Sequence, residues 1–199
     1  AVIVFTGSRR KRSHMQRDAT PPPPLPGLAR ATSMTMLGVT IANNLSISEH
    51  VRGVVSKCAQ TLYALRVLRA HGMCTAALQT VYRSVAVAKL QYAASAWWGF
   101  TTSPDLQRID AFIRRSTRCG YCPADLPSFP ELCEAADELF FNKILNNLDH
   151  LLHYLLPPPT IASQNYDLRP RKHARELPDH TGHLTDSNFI TRLLYLNTY

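Results

Sequence analysis

Arg108, Arg114, Arg115 and Arg118 share one arc of roughly 120° when the stretch after Ser103 is wound as a helix, and Leu106, Ile109 and Ile113 take the opposite side. A guanidinium is planar, permanently charged and able to grip two phosphate oxygens at once, so such an arc suits salt-dependent, sequence-tolerant contact with a nucleic-acid backbone. A second strip lies earlier. Arg52, Tyr63 and Arg66 fall together beside the apolar stripe of another helix, with an aromatic ring between the charges. A solvated face of an amphipathic helix carries the same letters, and that reading stands beside the functional one.

The other reactive residue types give less. Cys119-Gly120-Tyr121-Cys122 has the two-residue gap of a zinc knuckle, and Cys133 follows. No fourth ligand stands at the usual spacing; His150 and His153 could join only by closing a long loop, so reduced, buried thiols and no metal are expected. Glu131, Glu134, Asp137 and Glu138 crowd the opening of a helix, where negative charge suits the positive end of the dipole. There is no glycine-rich phosphate loop, nucleophile elbow or paired His-Glu motif, and no catalytic residue is expected.

The bulk numbers agree with a basic, folded chain. In 199 residues, 45% are hydrophobic, enough for a core, and 22 Lys and Arg against 14 Asp and Glu leave a formal charge of +8. That balance favours an anionic partner. No apolar run approaches the roughly 20 residues of a membrane span, and no secretory signal is legible at the start. The expectation is an intracellular chain without a membrane partner, nuclear or cytoplasmic left open. Because "AVIVFT" opens on Ala1 in strand-like residues without an initiator methionine, a piece of something longer is expected.

The elements that must position these residues are legible in chain order. Val2–Phe5 reads as a strand; the basic run Gly7–Arg17 reads as a solvated loop, and the prolines of Thr20–Gly27 as a stiff spacer. Met34, Met36, Val39 and Ile41 read as strand, and Asn43-Asn44 as a turn. Ser46-Ile47-Ser48-Glu49 fits a capping box for a helix carrying Val51, Val54, Val55, Cys58, Leu62 and Leu65 inward, stopped at His71-Gly72. A second helix is expected from Thr75 to Trp97, with Leu78, Val81, Tyr82, Val85, Tyr92 and Ala96 inward and many alanines allowing close approach. Ser103-Pro104-Asp105 opens a third. Ser128-Phe129-Pro130-Glu131 opens a fourth, with Leu132, Ala136, Leu139, Phe140 and Ile144 inward. Leu148–Pro159 reads as a short apolar helix with a firm stop, and Phe189–Tyr195 as a last short one.

Taken together, "VIVF", "MLGVTIANNLSISEH", "VVSKCAQTLYALRVLRAHG" and "LQTVYRSVAVAKLQYAASAWWG" resemble the stretch that follows the catalytic palm in reverse transcriptases of non-LTR (LINE, jockey-like) retrotransposons. "NYDLRP", Asn165–Pro170, is similar to a segment near the C-terminal end of those polyproteins. The resemblance runs over most of the chain and rests on the LGV-to-His and Tyr-to-Trp segments together.

It implies a mainly α fold: a helical, thumb-like bundle with a small N-terminal strand and hairpin left from a polymerase palm. Residues 1–45 would hold the palm strand, basic and proline-rich loop and primer-grip-like hairpin; 46–120 the thumb-like helices; 121–159 a helical extension; 160–199 a polar, basic tail. Leu37, Gly38 and Val39 would be the primer grip, and Arg52 and Arg66 candidates for backbone contact. The implied partner is an RNA/DNA template–primer duplex, bound weakly and without sequence preference, in company with the palm and fingers of the parent polyprotein. The divalent metal of the family, magnesium, belongs to the intact polymerase, whose aspartates this sequence lacks: it has no Asp-Asp pair. No cofactor is expected in this chain, and alone it is expected to be inactive. The alternative from another class is a small helical protein-interaction module with no nucleic-acid role.

Overall fold

The computed structural model describes residues 2–5, 23, 25–160 and 173–196. The basic run Gly7–Arg17, most of the proline run and Asn165–Pro170 lie outside the described residues. The fold is mainly α with a small β-hairpin. The chain groups into two compact units, Ala1–Leu90 with Thr101–Ala124, and Gln91–Phe100 with Asp125–Tyr199.

In the first unit, β1 (Val2–Ile3) pairs in parallel with β2 (Arg30–Ala31), so the expected strand ends two residues early. The hairpin joins β3 (Ser33–Met36) to β4 (Val39–Ala42), antiparallel, with Thr35 opposite Thr40 and their hydroxyls 3.0 Å apart. Its two-residue loop is Leu37-Gly38, both at positive φ (48° and 83°). That geometry matches the right-handed strand twist, and glycine meets it without steric cost whereas leucine does not.

Helix α1 (Ser48–Ala70) starts later than the capping box at Ser46 requires. Ala42 N–H already bonds the Ser46 carbonyl at 2.9 Å and Leu45 sits at φ 60°, so Ser46 closes the turn rather than opening the helix. Its Oγ accepts from Ser48 N–H at 3.3 Å, and no side chain caps the helix at Ile47. The far end behaves as read: Gly72 at φ 89° follows His71, and Met73 N–H reaches back to the Leu68 carbonyl at 3.1 Å, a Schellman-type stop. Val51, Cys58 and Leu65 of α1 are wholly buried.

The expected long helix from Thr75 to Trp97 is broken. Helix α2 (Thr75–Tyr82) passes into a π turn (Arg83–Val87), then α3 (Ala88–Gln91), α4 (Ala94–Trp97) and a 3₁₀ turn (Trp98–Phe100). At the π turn the Ser84 hydroxyl donates to the Thr80 and Val81 carbonyls, at 3.0 and 3.2 Å. The extra residue rotates the next helical turn, so burial passes from Leu78 and Tyr82 to Ala86, Val87 and Leu90. Val85, Tyr92 and Ala96, expected inward, are exposed. Ala93, at φ 50°, makes the second break, and Trp97 Nε1–H donates to the Tyr92 carbonyl across it at 3.0 Å.

Helix α5 (Ser103–Arg118) is capped by Thr102 rather than Ser103, with Asp105 completing the box. Helix α6 (Phe129–Asn146) has the expected box, Ser128 with Glu131. Its inner face differs: Phe129, Cys133, Asp137, Phe141 and Ile144 are buried and Leu139 is exposed. The shift comes with Asp137, whose Oδ2 accepts from Trp98 Nε1–H at 2.6 Å and Arg192 Nη2 at 2.9 Å; an aspartate expected to serve the helix dipole is a partnered core residue. Leu148–Pro159 forms turns and one 3₁₀ turn (His153–Leu155), not a helix. Asn147 Oδ1 and His150 Nδ1 take the amides of Asp149 and Leu152, competing with helical bonding. After α7 (His183–Asp186), α8 (Phe189–Tyr195) matches the expected last helix to the residue. It packs on α6, with Leu193 and Leu194 joining Phe141, Ile144 and Leu156 in one apolar cluster. Gly99 lies so close to this region that a Cβ there would meet the Ser187 carbonyl at 2.3 Å.

Candidate nucleic-acid interface

The two basic helices belong to one unit and are pinned to each other at both ends. At the start, Ser48 Oγ–H donates to Asp105 Oδ2 at 2.7 Å. At the finish, Arg69 Nη1 donates to the Cys119 carbonyl at 2.8 Å while its guanidinium lies 4.2 Å over the Tyr121 ring. Thus α1 and α5 run in the same direction, and Arg69 supplies positive charge where the α5 dipole is negative. Sequence reasoning missed Arg69; a basic residue in the last turn before His71-Gly72 was the available signal.

Arg52, Tyr63 and Arg66 are exposed on α1, Tyr63 at 71%. On α5, Arg108, Arg114, Arg115 and Arg118 are exposed, and Asp105, Ile109, Phe112 and Ser116 form the buried face. Leu106 and Ile113, expected inward, are only half-buried. Arg108 stands apart from the other three. Its Nη1 is 2.8 Å from Asp105 Oδ1, in an ion pair whose carboxylate is fully buried. Arg114, Arg115 and Arg118 make no ion pair among the described residues. Their charge is therefore available to an outside anion, while that of Arg108 is committed to holding the helix start.

Asp105 collects the donors of this junction. Besides Ser48 and Arg108, Thr102 gives its hydroxyl at 2.6 Å and its N–H at 3.3 Å. Burial by itself would raise the carboxyl pKa, but the hydrogen bonds from Thr102 and Ser48 and the charge of Arg108 outweigh it and hold the group below its ordinary range.

The hairpin residues separate. Leu37 is 87% exposed at the tip, Gly38 completes the turn, and Val39 is buried. His50, in the first turn of α1, reaches back to β4: Thr40 N–H donates to its Nδ1 at 3.3 Å. Burial first, and then the Lys57 charge, lower the His50 pKa, so the fold favours the neutral ring. A depressed folded pKa contributes stability that is fully present above the ordinary imidazole value of about 6.5 and is lost as pH falls toward the folded value. The urea midpoint should therefore drop between pH 7.5 and 5.5, and His50→Gln should flatten that slope; equal slopes would remove the assignment.

The thiols are arranged for packing. Cys58 and Cys133 are buried, and burial raises them to about 11 and about 12. Cys122 is buried and Cys119 exposed. Among the described residues no group of three His, Cys, Asp or Glu side chains is gathered as metal ligands, and no helix is long and apolar enough to cross a membrane. No protein-family model, curated protein or solved structure matches the chain.

Proposed function

We propose that the chain is the thumb-side region of a non-LTR-type reverse transcriptase, which holds an RNA–DNA template–primer duplex by its backbone and has no polymerase activity of its own. The observation that carries this reading is the presence of Arg66, Arg114, Arg115 and Arg118, exposed and without ion pairs among the described residues, on two helices tied together in one unit. A hairpin with an exposed tip leads directly into the first of those helices, the order that the resemblance implies for a primer grip and thumb. Such contacts fix position without reading sequence.

Arg66→Glu with Arg115→Glu in the full chain tests it. Affinity for an RNA–DNA hybrid should fall at least tenfold at low salt, and the slope of log K against log salt should shrink by about 2, one counterion for each lost phosphate contact. Circular dichroism should be unchanged. Unaltered affinity and slope would contradict the reading. Arg108 is left intact because reversing its charge beside buried Asp105 would disturb the fold.

A second reading, a helical protein-interaction module, is favoured by Leu148, Leu151 and Tyr154 in the second unit, each more than three-quarters exposed (78%, 82% and 79%). Hybrid binding that survives the double substitution, with loss of a protein partner on Leu151→Asp, would support it instead.

A further inference from the structure

In the second unit Arg175 is held between two imidazoles. Its backbone N–H donates to His173 Nδ1 at 3.2 Å, and its Nη2 donates to His153 Nε2 at 3.1 Å. An amide and a guanidinium offer donors only, so neither of those ring nitrogens carries a hydrogen. His173 therefore keeps its proton on Nε2, where it donates to the Leu194 carbonyl at 2.8 Å, and His153 keeps its proton on Nδ1. The arrangement ties two lengths of chain together. Arg175 Nη1 donates to the Pro157 carbonyl at 3.1 Å, Thr160 N–H to Ala174 at 2.8 Å, and Glu176 N–H to Pro158 at 2.9 Å, around a bridge between Pro159 and Arg175.

We propose that His153 and His173 form an acid-sensitive clasp that opens when either ring takes a proton from solvent. A proton on His173 Nδ1 sets one N–H against another. A proton on His153 Nε2 does the same and adds a positive charge beside the guanidinium. The Arg175 guanidinium faces the His153 ring, and the His173 ring meets the backbone N–H of the same residue; α6 sets the Phe141 ring edge-to-face with His173, and α8 presents the Leu194 carbonyl. His150, one turn before His153, has its Nδ1 on Leu152 N–H and its ring against Phe140. No carboxylate among the described residues lies within 4.0 Å of a nitrogen of either ring. Opening frees residues 173–176 from 157–160 and uncovers the cluster of Phe141, Ile144, Leu156, Leu193 and Leu194, against which Leu177 also packs.

Ring ¹⁵N spectra of the full chain at pH 7.5 should show His173 as the Nε2–H tautomer and His153 as the Nδ1–H tautomer. As both rings protonate, the hydrogen-exchange protection factors of the Thr160 and Glu176 amides should fall roughly tenfold, the scale of one lost charge-assisted hydrogen bond. His153→Gln, which keeps an acceptor that cannot be protonated, should leave a single step governed by His173. The opposite tautomers at pH 7.5, or unchanged protection once both rings are charged, would overturn the proposal. The tautomer result uses the unaltered chain and decides even if the variant fails to fold.

Discussion

Asp105→Ala lowers stability by about 2–3 kcal/mol, because it removes the buried carboxylate that completes the α5 capping box and accepts from three donors, Ser48 half-buried and Thr102 and Arg108 exposed. Ser48, Thr102 and Arg108 all converge on this carboxylate, which is fully buried. The hydroxyls were brought there to bind a charge; an alanine returns neither hydrogen bond nor space-filling. Arg108→Leu should cost about 1 kcal/mol, since that guanidinium is half-exposed (46%) and solvent can take over its charge. Acid should act in the same direction as the aspartate substitution. The Asp105 carboxyl is held below its ordinary value, so its contribution is fully present above about pH 4 and is lost as pH falls through the lowered value. Urea unfolding monitored by circular dichroism should show the wild type losing stability below pH 4 more steeply than Asp105→Asn. Equal steepness, or an alanine variant within about 0.5 kcal/mol of the parent, would mean that the Asp105 junction adds nothing to the hold of α1 on α5.

Trp97→Ala should cost about 3–5 kcal/mol, the range for removing a large buried aromatic. The indole is 1% exposed, stacks on Phe129 with centroids 5.8 Å apart, and bridges the helix break through its N–H to the Tyr92 carbonyl. Removing it opens a cavity in the core of the second unit and frees the left-handed turn at Ala93. Trp97→Phe should recover most of the packing but not that hydrogen bond, and so lie about 1 kcal/mol below the parent. If the alanine variant unfolds at the wild-type urea midpoint, the indole does not anchor the break.

Where one local pattern governed an element, it could be read from the sequence. Helices α1, α5, α6 and α8 come from helical spacing, the Ser128–Glu131 box and the His71-Gly72 stop, and the arginines of the two basic arcs lie on exposed faces as the winding requires; alternation read residues 32–41 as one strand, and the turn at Leu37-Gly38 was implied by the resemblance alone. The readings failed where a side chain competed with the local backbone pattern or a distant partner changed it. Nothing in Thr75–Trp97 alone signals that Ser84 will bond two carbonyls or that Ala93 will turn left-handed. Asp137 read as one of four acids at the positive end of a helix dipole, but Trp98 and Arg192 hold it in the core and turn α6 by one position. Asp105 was legible as a first-turn acid; its bond to Ser48, 57 residues earlier, was not. Arg108 read as one of four equivalent charges, and only its partner sets it apart. Within the candidate interface, exposure could be foreseen and the division of labour could not.

Titration of the full chain with an RNA–DNA hybrid at two salt concentrations bears most directly on the proposed role. Binding is expected at about 50 mM salt, weakening by tenfold or more at about 200 mM and showing no preference among hybrid sequences, the signature of phosphate contacts by several arginines. Absence of binding even at the lower salt, or an affinity indifferent to salt, would contradict it.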